Sequence, residues 1–406
     1  MNMRRLCTVA LLASAASLLG TLSGCTSVEG GSETTIKIVS SMPRTGSAKE
    51  QTDTIVNGIT MALDEAGWKA GQFKLEYLDW DDASAAAGNW TAEAEAANAD
   101  RAAKNPDVMV YIGTYNSGAA KIAMPVLNRA GLLMISPANT APGLTKPGLG
   151  EPGEPGIYRP TGKVNYVRVV PTDDLQGPLG ADWAKELGVR KVYVLDDNEV
   201  YGRGIAVLFK ERCQEIGIEV LGHDSIDARA NEFKSLMAGI KAAGPDLVYF
   251  GGTTQTKGGQ LARDLVASGL ICIFMVPDGC MEDAFIEAAG ADVLNDRCYV
   301  TFGGLPPEKL TGAGKDFVEK YQKRFGNMPE AYAIYGYETT KVAIEAIAKA
   351  GKKDRAAIVD ACLAIRDFDG ALGRWSFDAD GDTSLTTMSG NIVRDGKFEF
   401  VKVLGK

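Results

Sequence analysis

Val108-Met-Val-Tyr-Ile-Gly-Thr-Tyr-Asn-Ser117-Gly-Ala-Ala-Lys-Ile-Ala-Met-Pro-Val-Leu-Asn-Arg-Ala-Gly131-Leu-Leu-Met-Ile135 holds a strand–helix–strand unit in one span. Two apolar runs, Val108–Ile112 and Leu132–Ile135, flank a helix-length segment. Their near-continuous apolarity suits strands covered on both faces. Gly131 stands just before the second run, where glycine supplies the left-handed turn that closes a helix. A strand, a helix and a second strand in this order predict a right-handed crossover in a parallel sheet.

The same texture recurs in both directions. Further apolar runs fall at Ile36–Val39, Val192–Leu195, Leu247–Phe250, Ile271–Val276 and Tyr299–Phe302. Helical periodicity lies between them, as in the stripe Ile55, Ile59, Ala62 and Leu63. Gly67, Gly188, Gly217, Gly244 and Gly269 stand before strands as Gly131 does. The strands are too many for one small sheet, so the fold class is α/β with two doubly wound parallel-sheet lobes. The tail is β-rich, with Asp380-Gly381 and Asp395-Gly396 as turns between apolar runs. Residues 142–162 break the pattern: 11 of these 21 residues are Pro or Gly, which predicts a long loop. A flap on a cleft rim and a tolerated surface insertion are both open for it.

The amino terminus carries a second signal. Arg4 and Arg5 precede an apolar run ending in Leu22-Ser23-Gly24-Cys25, an arrangement that resembles a bacterial lipoprotein signal. Residues 1–24 are then a signal peptide, Cys25 carries the lipid, and the polar residues up to Thr34 form a tether. An uncleaved anchor helix is the rival reading. Either way the body is placed outside the cytoplasmic membrane, where ATP and NAD are scarce, which argues against most enzyme classes.

The chain has 43 basic and 52 acidic residues. Without clustered Lys and Arg, an acidic chain is a poor nucleic-acid binder. Cys213, Cys272, Cys280, Cys298 and Cys362 remain in the body, an odd number for an exported protein. Cys272 and Cys298 each open an apolar run, so a bridge between neighbouring parallel strands is one reading; buried free thiols are the other.

Three catalytic or cofactor motifs fail on inspection. Gly148, Gly150 and Gly153 match G-x-G-x-x-G, but Pro147, Pro152 and Pro155 forbid the helix a dinucleotide loop must open. Asp378, Asp380 and Asp382 lack the glycine position of a calcium loop and read as a solvated turn. His223 is the only histidine, with no G-x-S-x-G to serve. No cofactor, metal or enzymatic role is expected.

What survives is a set of polar strand ends. Val108–Gly113 runs into Thr114-Tyr115-Asn116-Ser117, the second run into Pro137-Ala138-Asn139-Thr140, and Ile271–Val276 into Pro277-Asp278-Gly279. Open α/β sheets bind ligands beyond the carboxyl ends of their strands. Ser117 stands where a helix begins, to cap it or to meet an anion. Asp278 offers a negative charge from the other lobe.

With Ser40-Ser41-Met42-Pro43, Gly131 to Pro142, Arg168, Gln176-Gly177-Pro178, Tyr201-Gly202-x-Gly204 and Phe250-Gly251-Gly252, the chain from about Thr35 onward resembles the periplasmic leucine/isoleucine/valine-binding proteins. These are the type I solute receptors of ABC importers. The resemblance implies two lobes joined by a multi-strand hinge: 35–170 plus 303–368, and 171–302 plus 369–406. It implies an amino acid as ligand, ABC permease subunits as partners, and a membrane anchor through Cys25. A ligand sensor of the same fold and a receptor for another small solute stay open.

By the same resemblance Ser117 and Thr140 hold the ligand carboxylate. The Ala138 carbonyl and the Thr140 hydroxyl accept from its ammonium, with Asn139 in the same loop. Asp278 pairs with the ammonium, and Tyr201 closes over the ligand. Gln51, Tyr115 and Thr253 are candidate pocket residues. The chain departs from the pattern at Asp278, where the family has glutamate, at Thr253 for tyrosine, at Gln51 for tryptophan, and in the Pro/Gly insertion.

Overall fold

A computed structural model describes residues 34–405. The signal, the tether and Cys25 lie outside the described residues. No helix among the described residues is long and apolar enough to cross a membrane.

Two sheets organise the chain. The first has six strands in the order Lys69–Ala70, Phe73–Asp81, Thr35–Met42, Val108–Gly113, Leu133–Ser136 and Tyr166–Arg168. All its pairings are parallel except that of the two-residue edge strand. The second has seven, ordered Glu219–Ser225, Lys191–Asp196, Leu247–Gly251, Ile273–Val276, Cys298–Gly303, Met388–Arg394 and Lys397–Val403. Its first five strands are parallel and its last two pair antiparallel. The final hairpin turns at Asp395 and Gly396, with φ of 47° and 72°, the left-handed pair a tight two-residue turn needs.

Helices cover both sheets, so every residue of Val108–Gly113 and of Leu247–Gly251 is buried. That double cover is why these strands carry no polar alternation. Helix Lys49–Glu65 packs against helix Ala333–Ala350 at very close range. A Cβ on Gly58 would stand 2.1 Å from the Ala333 carbonyl oxygen, and one on Gly336 2.3 Å from that of Ile55. Glycine is required where two backbones approach so closely. The chain passes between the sheets after Arg168, after Gly303 and again before Met388. These crossings are the hinge.

Of the two readings the sequence left open for Cys213, Cys272, Cys280, Cys298 and Cys362, free thiols are the one observed; other expectations need correction. The strands expected to bring Cys272 and Cys298 together are indeed parallel neighbours. Their register sets Phe274 opposite Cys298, however, and leaves Cys272 ahead of its strand. Ser117 is the first residue inside helix Ser117–Arg129; the cap position is Asn116, without a side-chain cap bond. Asp382 does not sit in a solvated turn. Asp378 Oδ1 accepts from the backbone N–H groups of Asp380 and Asp382, each at 2.9 Å. The turn folds back on strand Tyr166–Arg168, where Asp382 is buried against Arg168. The Pro/Gly segment holds two single 3-10 turns, Pro142–Leu144 and Gly156–Tyr158. It is pinned down: Tyr158 and Leu144 are buried, and Lys121 Nζ lies 2.6 Å from Glu154 Oε1.

Candidate functional site

The carboxyl ends of both sheets converge on one small cavity of about 20 Å³, room for little more than a water. From the first lobe come Tyr115, Asn116, Ser117 and Ala138; from the second, Tyr201, Thr253, Asp278 and Gly279. Tyr332, which caps helix Ala333–Ala350, completes the wall.

Each is placed by its local sequence. Val108–Gly113 delivers the Tyr115–Ser117 turn, and the following helix starts at Ser117. The first intrahelical bond there runs from Ala120 N–H to the Asn116 carbonyl, so the earlier N–H groups lack helical partners and favour an anion. Ser136 Oγ accepts from the N–H groups of Ala138 (3.1 Å) and Asn139 (2.8 Å), folding the second loop into a tight turn. On the second lobe Pro277 ends the strand, and Asp278 opens a 3-10 turn.

Asp278 is the electrostatic centre. It is buried, yet its carboxylate is well supplied with donors. Oδ1 accepts from Gln176 Nε2 at 2.8 Å and from the Tyr201 hydroxyl at 2.7 Å; Oδ2 accepts from the Tyr332 hydroxyl. Burial raises its pKa, and the three donors oppose that rise. None of these three side-chain donors carries a positive charge, so the carboxylate has no cation among its hydrogen-bond partners. Asp173 is buried close by, with no hydrogen bond to either carboxylate oxygen. Its own burial, and then Asp278, push its pKa well up. The Thr140 side chain and the Arg168 guanidinium oppose that rise.

The residues expected from sequence divide into two groups. Ser117, Ala138, Tyr201 and Asp278, with Tyr115 and Thr253, share the cavity wall. Asn139, Thr140 and Gln51 do not. Asn139 Nδ2 donates to the carbonyls of Thr114 and Tyr115, both at 3.0 Å, and so ties the two ligand-side loops together. Thr140 is buried with its hydroxyl unpartnered. Gln51 Nε2 donates across the lobes to the Met281 carbonyl at 3.3 Å. Tyr332, Asn116 and Gly279 were missed as wall residues, and so was Gln176 behind Asp278. Asn116, Gly279 and Gln176 stand inside segments the sequence already marks, the strand ends and Gln176-Gly177-Pro178, whereas no local motif marks Tyr332.

Two α/β lobes meeting over a small cavity at their strand ends define a solute-binding protein of the two-lobed kind. The chain matches the family model described as periplasmic binding protein over residues 35–394, and it belongs to that family. The family places the protein outside the cytoplasm. Among relatives, the Leu/Ile/Val-binding protein homolog 2 of Brucella abortus is 29% identical over 85% of this chain and 86% of its own. A leucine-binding protein of Thermotoga maritima superposes with a TM-score of 0.79 at 25% identity, covering 91% of this chain and 98% of its own. An ABC-transporter solute-binding protein of R. palustris in complex with benzoate gives a TM-score of 0.77 at 18% identity, covering 91% and 96%. The fold thus accommodates different ligands, and the cavity's own chemistry must discriminate between them.

Proposed function

We propose that the chain is the substrate-binding component of an ABC importer that captures an amino acid between its lobes and delivers it to a membrane permease. The observation that carries this is Asp278, a buried carboxylate whose side-chain donors are all neutral, in the same small cavity as the helix start at Ser117. A zwitterion answers both ends. Its carboxylate meets Ser117 and the helix N–H groups, and its ammonium meets Asp278. Charges enclosed in a shut cleft must be paired, because desolvation costs several kcal/mol per ion. Benzoate and similar monoanions bring no cation for Asp278. The family membership and the names of the relatives support the importer reading.

The cavity as shut is far below the roughly 300 Å³ common for small-molecule sites, so the ligand enters with the lobes apart. It docks on the first lobe at Ser117 and Ala138. The second lobe then swings in with Asp278 and Tyr201, a hinge closure around ligand. No covalent bond changes. A lipid on Cys25 would keep the body near the membrane and its permease.

A thermal-shift panel tests the reading, with amino acids against sugars, urea and benzoate. An amino acid at 100 times its Kd adds about 2.7 kcal/mol. A shift from another solute, with none from any amino acid, overturns the substrate class.

A further inference from the structure

We propose that the ligand is an amino acid with a short hydroxyl or amide side chain, not a branched aliphatic one; this rests on the amino-acid reading above. Among the described residues Ala138 is the one aliphatic side chain in the cavity wall, and no Leu, Ile, Val, Met or Phe lines it. A leucine-sized group gains its affinity from apolar surface taken out of water, and here that surface comes chiefly from the rings of Tyr115, Tyr201 and Tyr332, each of which also carries a hydroxyl.

Those rings are not free to step aside. The hydroxyls of Tyr201 and Tyr332 both donate to Asp278, and the Tyr201 hydroxyl also accepts from the Gly279 N–H at 3.1 Å. Swinging either ring outward removes a donor from a buried carboxylate. Tyr115 stands edge-on to Tyr332 at 6.1 Å between centroids, which holds that side as well. With the lobes shut, the cavity of about 20 Å³ therefore cannot widen by clearing its tyrosines.

An unused polar group completes the case. The Asn116 amide makes no hydrogen bond within the described residues, and its buried Oδ1 is unpartnered. An aliphatic group packed against that oxygen would seal it off unsatisfied, whereas a hydroxyl or amide would pair with it. Sites built to hydrogen-bond a substrate group discriminate strongly against analogues that lack it.

Calorimetry on the purified protein with L-serine, L-threonine, L-asparagine, L-leucine, L-isoleucine, L-valine and benzoate tests this. At least one hydroxyl or amide amino acid should bind roughly tenfold or more tighter than any of the three aliphatic ones. Asn116→Ala should narrow that ratio while its melting temperature stays near that of the parent. Leucine, isoleucine or valine binding as tightly as the polar set overturns this inference and leaves the amino-acid reading standing. No binding by any amino acid overturns both.

Discussion

Arg168 Nε donates to Asp382 Oδ1 at 2.7 Å, and the two side chains are buried together where the C-terminal turn meets the first sheet. The same guanidinium donates through Nη1 to the carbonyls of Asn139 (3.1 Å) and Ala141 (2.7 Å), and through Nη2 to Thr145. One buried side chain thus fixes the ligand-side loop, the start of the Pro/Gly segment and the turn beside a hinge crossing.

Removing either partner leaves a buried charge uncompensated. Asp382→Ala should therefore cost about 3–5 kcal/mol, read as a lower urea midpoint. A midpoint within error of the parent would show that the pair is not enclosed as described.

Much of this was legible in the sequence, and the failures have physical causes. Strands buried on both faces announce themselves as apolar runs, and the glycines ahead of them mark helix ends. The loops at the strand ends follow from that, which is why Ser117, Ala138 and Asp278 could be named as candidates before the structure placed them on one cavity wall. Asp382 was misread because D-x-D-x-D looks like a surface turn; its partner Arg168 is 214 residues away. Tyr332 lies 54 residues from Asp278, beyond any local spacing rule. Gln51 sits in the buried stripe of its helix, but only the closed lobes reveal that it reaches Met281.

The helix pair under the first sheet depends on absent side chains. Gly336→Ala would place a methyl 2.3 Å from the Ile55 carbonyl oxygen. Overpacking of this kind costs about 1–3 kcal/mol, and since backbone must move, the upper end is expected. An unchanged denaturation midpoint would contradict the close approach.

Stability should fall as the solution becomes alkaline. Burial, then Asp81, pushes Asp82 up to about 8, and burial, then Asp82, raises Glu95 well above its usual value. Burial likewise lifts Glu282 and Glu330 to about 8. Each group holds a proton in the folded chain that the unfolded chain releases near pH 4. This stabilisation is complete below that pH and is lost as pH rises through about 8, at up to about 1.4 kcal/mol per pH unit for each proton held. Urea melts at pH 5 and pH 9 should show the loss, and Asp82→Asn should reduce it. A parent more stable at pH 9 than at pH 5 would refute the assignment.

The Pro/Gly segment should behave as a pinned loop. Glu154 accepts from Lys121, from Tyr158 and from the Glu151 N–H, and Gly143 and Gly150 close tightly around it. Glu154→Ala should speed protease cleavage within residues 142–162 several-fold, seen by mass spectrometry of timed digests. Equal cleavage rates in parent and variant would mean that other contacts hold the loop.

The central claim is that Asp278 receives the ammonium of a zwitterion. Asp278→Asn keeps the size of the side chain and removes its charge. Calorimetry with the best-binding amino acid should show affinity at least about 100-fold weaker, equal to about 2.8 kcal/mol, with the variant still folded. Undiminished binding by the folded variant would contradict the account.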